Sequence, residues 1–521
     1  MVKKISILAF AGLFALPAFA IAGGGKNPAD LERKIDELSR QLDELKAQMA
    51  RQNETVTEYS TKVDDMDTML EEKSEKWDLA SRFQFDGDFR ARGDYYQGSN
   101  VFAAGTPIRM VGLDGGGNPI WGAQAAGDEG NDTLMTNRLR LNMRVKATED
   151  VEFKGRLAMY KAWGMQSTPD GLGGGMPIFD GNTTRTPNDS ALYVDRAFVN
   201  WNNIGGAPVW FSIGRRPTTD GPPADLRMGT DTRMATPPAY MDYPFDGLSL
   251  GYAYNWGNDA LGDGRIRFCY GRGFENGLEN DLGPRIDDTD FAGFSWDVFK
   301  KGPRFLNVQT FEAFNLFNYP AFSSDLIRIA GAPSLYGDQV NLGNVYHTSG
   351  VYMDKINNLN YFIAGGWSRT DPNENGMFND YTSRTSPYNT DSENGYSVYA
   401  GIRYDIDRLG LKLGAEYNYG SQYWISFSPG HDDLYMSKLA TRGNAYELYM
   451  IYDLPTGEAI SKYAKTFIRL GWQLYDYNYS GGFDWNMKPY DLDDEKDKLQ
   501  ALGQNPVESA NQVYLTFEAY F

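Results

Sequence analysis

Basic residues alternate with apolar residues in the stretch RLRLNMRVK, residues 138–146. Successive side chains of an extended strand point to opposite faces, so Arg138, Arg140 and Arg144 would share one face. A row of guanidinium groups can attract and orient anions through its field, without any bond-making step. Further basic positions of this kind occur at Arg90, Arg92, Lys154, Arg156, Arg196 and Arg216.

An acidic, proline-rich segment, 215–245, lies among these basic positions in the sequence. It contains six prolines, and proline lowers the entropy that a loop loses when it becomes ordered. Four aspartates could present negative charge from an ordered loop: Asp220, Asp225, Asp231 and Asp242.

Residue types suited to bond-making chemistry are scarce. The chain has one cysteine, Cys269, and two histidines, and it contains no CxxCH motif for covalent haem attachment. His431 precedes Asp432 and Asp433 in SPGHDD, but the spacing predicts no Ser–His arrangement for catalysis. We therefore expect no enzyme activity, no metal site and no cofactor, and the chain offers no nucleic-acid-binding pattern.

Sixteen short segments with alternating apolar and polar residues follow residue 82. Short and long connections alternate between them, as in a transmembrane β-barrel with short turns at one rim and long loops at the other. Glycine (57 residues) and aromatic residues (14%) are abundant, while long apolar runs are absent after the N-terminus. The pattern predicts an all-β transmembrane β-barrel of about 16 antiparallel strands within residues 77–521. The predicted strands are 82–92, 138–146, 151–160, 192–202, 208–214, 246–256, 264–271, 290–299, 304–317, 342–354, 357–368, 394–405, 410–420, 443–454, 465–478 and 511–521.

Two different segments precede the predicted barrel. Residues 1–22 have two lysines, an apolar stretch and small residues, which is typical of a secretory signal peptide. Residues 27–76 predict a coiled-coil helix, because apolar positions recur at steps of four and three. An alternative is an amphipathic helix that lies on its own domain. The predicted seam consists of Leu31, Ile35, Leu38, Leu42, Leu45, Met49, Gln52, Val56, Tyr59, Val63, Met66 and Leu70.

The final segment, NQVYLTFEAYF, alternates to its last residue. This ending, the signal peptide and the stretches DRAFVNWNN and PVWFSIGRRPTTDGPP together resemble Gram-negative outer-membrane porins with an N-terminal coiled coil. The resemblance implies an outer-membrane location in contact with lipid, a periplasmic N-terminal helix and a homotrimer. It also implies that the barrel-assembly machinery reads the last strand, including Phe517 and Phe521.

In such porins the third long loop folds into the lumen, which here would be residues 215–245. We therefore expect a constriction with acids on the loop and arginines on the wall, which would sort small hydrophilic solutes and favour anions. The alternative is that these charges only pair with one another and line a wide lumen. A different function is also open: a barrel that sheathes a periplasmic partner such as an electron-transfer cytochrome, or an envelope tether.

Overall fold

A computed structural model describes single residues of the N-terminal region, its helix and most of the chain beyond it. The described residues are 29, 32–51, 54, 58, 62, 66 and, from 82 onward, all except 118, 165–186, 188, 217, 219, 232, 235–237, 239, 278–285, 319–339, 381–382, 384–385, 429, 431, 434–436, 458–463, 483 and 501–504. The chain forms two compact units, Met1–Ser81 and Arg82–Phe521.

The second unit consists mainly of β-strands, which we number β1 to β18 in chain order. Their bounds are β1 Phe83–Asn100, β2 Pro107–Leu113, β3 Pro119–Gln124, β4 Glu129–Lys146, β5 Val151–Ala162, β6 Tyr193–Trp201, β7 Val209–Arg216, β8 Phe245–Asn255, β9 Asp263–Phe274, β10 Thr289–Lys301, β11 Arg304–Phe317, β12 Asn341–Ile356, β13 Leu359–Pro372, β14 Asn394–Ile406, β15 Leu411–Gly420, β16 Gly443–Asp453, β17 Lys465–Tyr477 and β18 Val507–Tyr520. Two short helices lie in loops, at Ala224–Met228 and Glu495–Gln500.

Sixteen of these strands form one closed antiparallel barrel. The strands β4 to β18 follow one another around the wall, and β1 closes the ring by pairing with both β4 and β18. All sixteen predicted segments coincide with barrel strands, so the predicted fold class is confirmed. The small hairpin of β2 and β3, in the loop after β1, was not predicted.

The two faces of the wall differ as the alternation requires. Leu250 and Leu515 are 51% and 54% exposed on the outer face, whereas Arg90 and Arg469 are 0% and 1% exposed inside. Charged side chains on the outer face would be costly in hydrocarbon, so this arrangement suits a barrel that spans a membrane. No helix among the described residues is long and apolar enough to cross a membrane.

The barrel ends differ in their connections. Short turns join the strands at one end, for example at 147–150, 302–303, 357–358 and 407–410, and we call this the short-turn end. At the other end, loops such as 217–244, between β7 and β8, and 421–442, between β15 and β16, are much longer.

In the first unit, residues 32–51 are helical. The predicted seam residues Ile35, Leu38, Leu42, Leu45 and Met49 are all more than half exposed. Pairing with other helices therefore stays a prediction. The signal peptide at 1–22 lies outside the described residues, as do the seam positions Leu31, Gln52, Val56, Tyr59, Val63 and Leu70.

Candidate functional site in the barrel lumen

The loop 217–244 crosses the interior of the barrel. Its short helix, Ala224–Met228, is buried along its whole length. The carbonyl oxygen of Leu226 accepts a hydrogen bond from Arg403 of β14 at 2.9 Å, and that of Arg227 accepts one from Arg469 of β17 at 2.9 Å. These bonds fix the loop against the wall formed by the last strands.

Asp220, near the start of this loop, binds the opposite wall. Its carboxylate accepts hydrogen bonds from Arg140 of β4 and Arg156 of β5, both at 2.9 Å, and from Arg196 of β6 at 3.4 Å. The side chain is buried. Asp220 is therefore in direct contact with three wall arginines.

Asp231 lies on the other side of the lumen, away from the predicted arginines. It forms ion pairs with Arg403 at 2.8 Å, Lys412 of β15 at 3.0 Å and Lys465 of β17 at 2.8 Å. The sequence analysis did not name these three partners. Their strands are close to the loop only in the closed barrel, so no local pattern marks them.

A second loop, 421–442, also enters the lumen, which the sequence analysis did not predict. Asp432 accepts a hydrogen bond from Arg138 of β4 at 2.9 Å and one from Arg469 at 3.1 Å. It also pairs with Arg90 of β1. The wall arginines Arg90 and Arg138 thus pair with this loop and not with the loop 217–244, and Arg138 also pairs with Asp88 of β1 at 3.0 Å. The sequence places Asp432 next to His431, which lies outside the described residues, and gives no sign of its contact with the wall.

Buried charges join the two loops to each other and to the wall. Arg227 of the first loop pairs with Asp433 of the second loop and, at 3.0 Å, with Glu447 of β16. Lys438 of the second loop also pairs with Glu447. Each of these side chains is at most 2% exposed, so the cluster is compensated inside the protein.

A backbone hydrogen bond and an aromatic contact also join the two loops. The backbone N–H of Asp242 donates to the carbonyl oxygen of Phe427 at 2.9 Å, beside a bridge between Met241 and Phe427. The rings of Tyr240 and Trp424 pack edge to face, with centroids 5.5 Å apart. The two loops therefore form a single packed body, which we call the lumen plug.

The other predicted site residues have varied positions. Arg92 is buried and pairs with Asp94 at 2.9 Å, and Asp242 accepts a hydrogen bond from the backbone N–H of Asp220 at 3.1 Å. Asp225 is buried, and its Oδ1 has no hydrogen bond to any described residue. In contrast, Phe517 and Phe521 lie on the exposed outer face.

Arg144 and Lys154 lie near the short-turn end and remain accessible. Both pair with Glu152, Arg144 through Nε at 2.6 Å and Lys154 through Nζ at 2.6 Å. Their side chains are 44% and 36% exposed, in contrast to the buried arginines deeper in the barrel.

A cavity of about 940 Å³ lies between the lumen plug and the short-turn end. Within the described part of the barrel it is lined by nine basic residues and six acidic ones. The basic ones are Arg140, Arg144, Lys154, Arg156, Arg196, Arg216, Arg265, Arg267 and Lys465, and the acidic ones are Asp86, Asp88, Glu152, Asp220, Asp225 and Asp231. We call this cavity the basic vestibule.

A family model described as "Protein of unknown function (DUF3373)" matches residues 128–521, which is more than half of the chain. No curated protein matches the sequence. Among solved structures, the chain is similar to Salmonella typhi OmpF in complex with daunomycin, at 11% identity and with a TM-score of 0.39. That alignment covers 84% of this chain and 98% of the other. A similarity this low carries no argument about function.

Proposed function

The chain belongs to the DUF3373 family, and we propose that it forms a narrow, anion-preferring channel for small hydrophilic solutes or ions in a bacterial outer membrane. The observation that supports this proposal is the basic vestibule, a polar cavity of about 940 Å³ inside a closed barrel. Its lining carries three more basic than acidic residues, nine against six. An excess of positive charge between low-dielectric walls raises the local concentration of anions.

The lumen plug would restrict the path of ions through the barrel. Four of its acids are held in direct ion pairs and offer little free negative charge to a passing cation: Asp220, Asp231, Asp432 and Asp433. Arg144 and Lys154 at the rim share the single carboxylate of Glu152, which leaves net positive charge where ions enter. We propose that anions are selected at this rim, and that the plug limits the conductance.

The proposal assigns no catalytic step and no cofactor to the chain. A barrel that sheathes a periplasmic partner is the weaker alternative, because a sheath requires an unobstructed lumen and two loops cross this one. We further propose that the exposed seam of the N-terminal helix assembles the chain into a homotrimer on the periplasmic side.

The channel is tested by planar-bilayer recording of the purified protein in a salt gradient. Replacing both rim residues, as Arg144→Gln with Lys154→Gln, is expected to shift the reversal potential toward cation preference. Arg304→Gln is a matched control, since Arg304 is a partly exposed arginine outside the vestibule lining. An unchanged reversal potential in the double variant would reject the assignment of selectivity to the rim.

A further inference from the structure

The barrel wall contains one seam, between β9 and β10, where backbone pairing nearly ceases. Thr289 pairs with Phe274 beside the connecting loop, and Gly262, just before β9, forms a bridge with Lys300; no other position of these two fully described strands is paired across the seam. By comparison, β8 pairs with β9 without interruption from Asp246 to Asn255, and β10 pairs with β11 along its length. Unpaired backbone groups are costly in hydrocarbon, so a seam of this kind requires an explanation.

Side chains hold the two strands together in place of the backbone. On the lumen face, Arg265 donates to Asp297 at 2.9 Å and Arg267 donates to Ser295 at 3.0 Å. On the outer face, Tyr270 donates to Asp290 at 2.8 Å. The strands therefore lie side by side and in register, and the contacts that join them along most of their length are made by side chains.

A backbone carbonyl group of β10 is likewise bound by side chains. The oxygen of Val298 accepts hydrogen bonds from the Tyr254 hydroxyl at 3.1 Å and from Trp256 Nε1 at 2.7 Å. Tyr254 lies near the end of β8 and Trp256 just after it, so both side chains reach past β9. Gly264 of β9 permits this reach, because a Cβ at that position would lie 2.1 Å from the Tyr254 ring.

A cavity of about 80 Å³ lies in the seam. Arg265 and Arg267 face Asp297 and Ser295, so the next position along places Cys269 opposite Gly293, which has no side chain to fill the gap. The cavity is lined by Arg216, Arg267 and Ser249 from the lumen. It is also lined by Phe294 and Thr310, which are exposed on the outer face. Since one water needs only about 15 Å³ on such a measure, the space admits a thin chain of atoms.

Arg216 supplies a positive charge at the inner end of this cavity, where its Nη1 donates to the Ser212 hydroxyl. Its guanidinium lies 5.1 Å from the centre of the Phe198 ring and 5.9 Å from that of Trp210. No described carboxylate forms an ion pair with it, whereas every predicted basic site residue other than Arg216 has one. Arg267, another basic residue, lines the cavity beside it. This end of the seam is therefore suited to an anion.

We propose that the β9–β10 seam is a lateral binding site for a long-chain carboxylate from the surrounding lipid. The carboxylate group binds Arg216 and Arg267, and the hydrocarbon chain passes beside Cys269 and Gly293 and leaves the wall next to Phe294. The narrow cavity fits one chain, which excludes lipids with two chains, and charge-assisted hydrogen bonds select the acid over the alcohol. The site depends on the barrel wall and not on ion conduction.

The test uses the full-length protein in nanodiscs of zwitterionic phospholipid and follows two quantities. The first is the rate at which N-ethylmaleimide alkylates Cys269, the sole cysteine of the chain. The second is the amount of isotope-labelled hexadecanoate that stays bound to each barrel. We expect hexadecanoate to slow alkylation, while hexadecanol and butyrate have much less effect, because the site requires both the head group and the chain.

Arg216→Gln is expected to weaken hexadecanoate binding roughly tenfold or more, since a hydrogen bond to a charged group contributes at least that factor. Ala292→Phe, at the outer side of the seam, should reduce both hexadecanoate and hexadecanol binding, and Arg304→Gln should change neither. Heat-modifiable mobility on gels confirms that each variant is folded. Equal binding of hexadecanoate and hexadecanol, or full binding by folded Arg216→Gln, would overturn the proposal. A barrel that binds hexadecanoate but conducts no ions would remove only the channel proposal.

Discussion

Arg138 and Asp432 are 294 positions apart in the sequence, and Arg138 Nη1 donates a 2.9 Å hydrogen bond to Asp432 Oδ1 inside the barrel. The contact joins β4 to the loop between β15 and β16. Arg90 and Arg469 bind the same carboxylate. One loop acid thus pairs with arginines from three strands and attaches the second half of the lumen plug to the wall.

Asp432→Asn is expected to release the loop 421–442 from the wall. Removing one partner of a buried ion pair costs about 3–5 kcal/mol, because the other charges remain buried and uncompensated. The midpoint of the heat-induced mobility change should therefore fall, and single-channel conductance and anion preference should rise. Asp407→Asn, in an exposed turn, is the control. Unchanged conductance in folded Asp432→Asn would show that this attachment does not restrict the passage.

Trp424→Ala is expected to loosen the packing between the two halves of the plug. Trp424 is fully buried against Tyr240, and its Nε1 donates to the carbonyl oxygen of Leu439 at 2.7 Å. A buried Trp→Ala change costs about 3–5 kcal/mol. Thermal unfolding should show a clear loss of stability, while Trp163→Ala, on the exposed outer rim, should show little. Similar stability losses for the two variants would contradict the packing role of Trp424.

The pH dependence of selectivity should depend on Asp225 in the loop 217–244. Burial raises the pKa of Asp225 to about 7, against the opposing effect of Arg233 and Arg403 and with a small contribution from Asp231. The carboxyl group gains its negative charge as pH rises through this value, so anion preference should fall between about pH 6 and about pH 8. Because the folded state binds this proton more tightly than the unfolded state, the stability of the fold should also decline as pH rises toward 7.

Asp225→Asn is expected to flatten this pH dependence in both reversal potential and stability. Asp231→Asn is the comparison. Burial would raise the pKa of Asp231, but Lys465, Lys412 and Arg403 hold it below its usual value, so it stays charged throughout the range. Asp231→Asn should therefore change selectivity while keeping the slope with pH. A slope that persists in Asp225→Asn would assign the titration to another group.

The oligomer prediction concerns the N-terminal helix. Leu38 and Leu42 are exposed on the predicted seam, and a buried aspartate in a coiled-coil seam is strongly unfavourable. Leu38→Asp with Leu42→Asp should convert trimers to monomers in native mass spectrometry. Glu37→Asp with Arg40→Lys, off the seam, is the control. A trimer that survives the double aspartate change would place the contacts in the barrel wall.

The strands could be predicted from sequence because their signal is local. Most barrel strands carry a period of two, and the connections alternate in length, so the segments can be placed from their own residues. The lumen plug could not be predicted in the same way. Asp432 binds Arg90 across 342 positions, and nothing near SPGHDD distinguishes an acid that pairs with a wall from one that faces solvent.

The β9–β10 seam was also beyond sequence analysis. Both strands alternate as their neighbours do, and alternation specifies which face a side chain occupies, not whether two backbones pair. In the predicted acidic loop, Asp220 forms ion pairs with arginines that were predicted. Asp231 instead pairs with Arg403, Lys412 and Lys465. Which wall a loop residue reaches depends on the closure of the whole barrel.

The central claim is that a positively charged passage runs through the closed barrel. The most direct test is the reversal potential of the purified wild-type protein in a planar bilayer that separates two concentrations of potassium chloride. We predict a value whose sign corresponds to preferential chloride permeation, because basic residues outnumber acidic ones in the vestibule. A reversal potential of the opposite sign, or a folded barrel that conducts neither ion, would contradict the account.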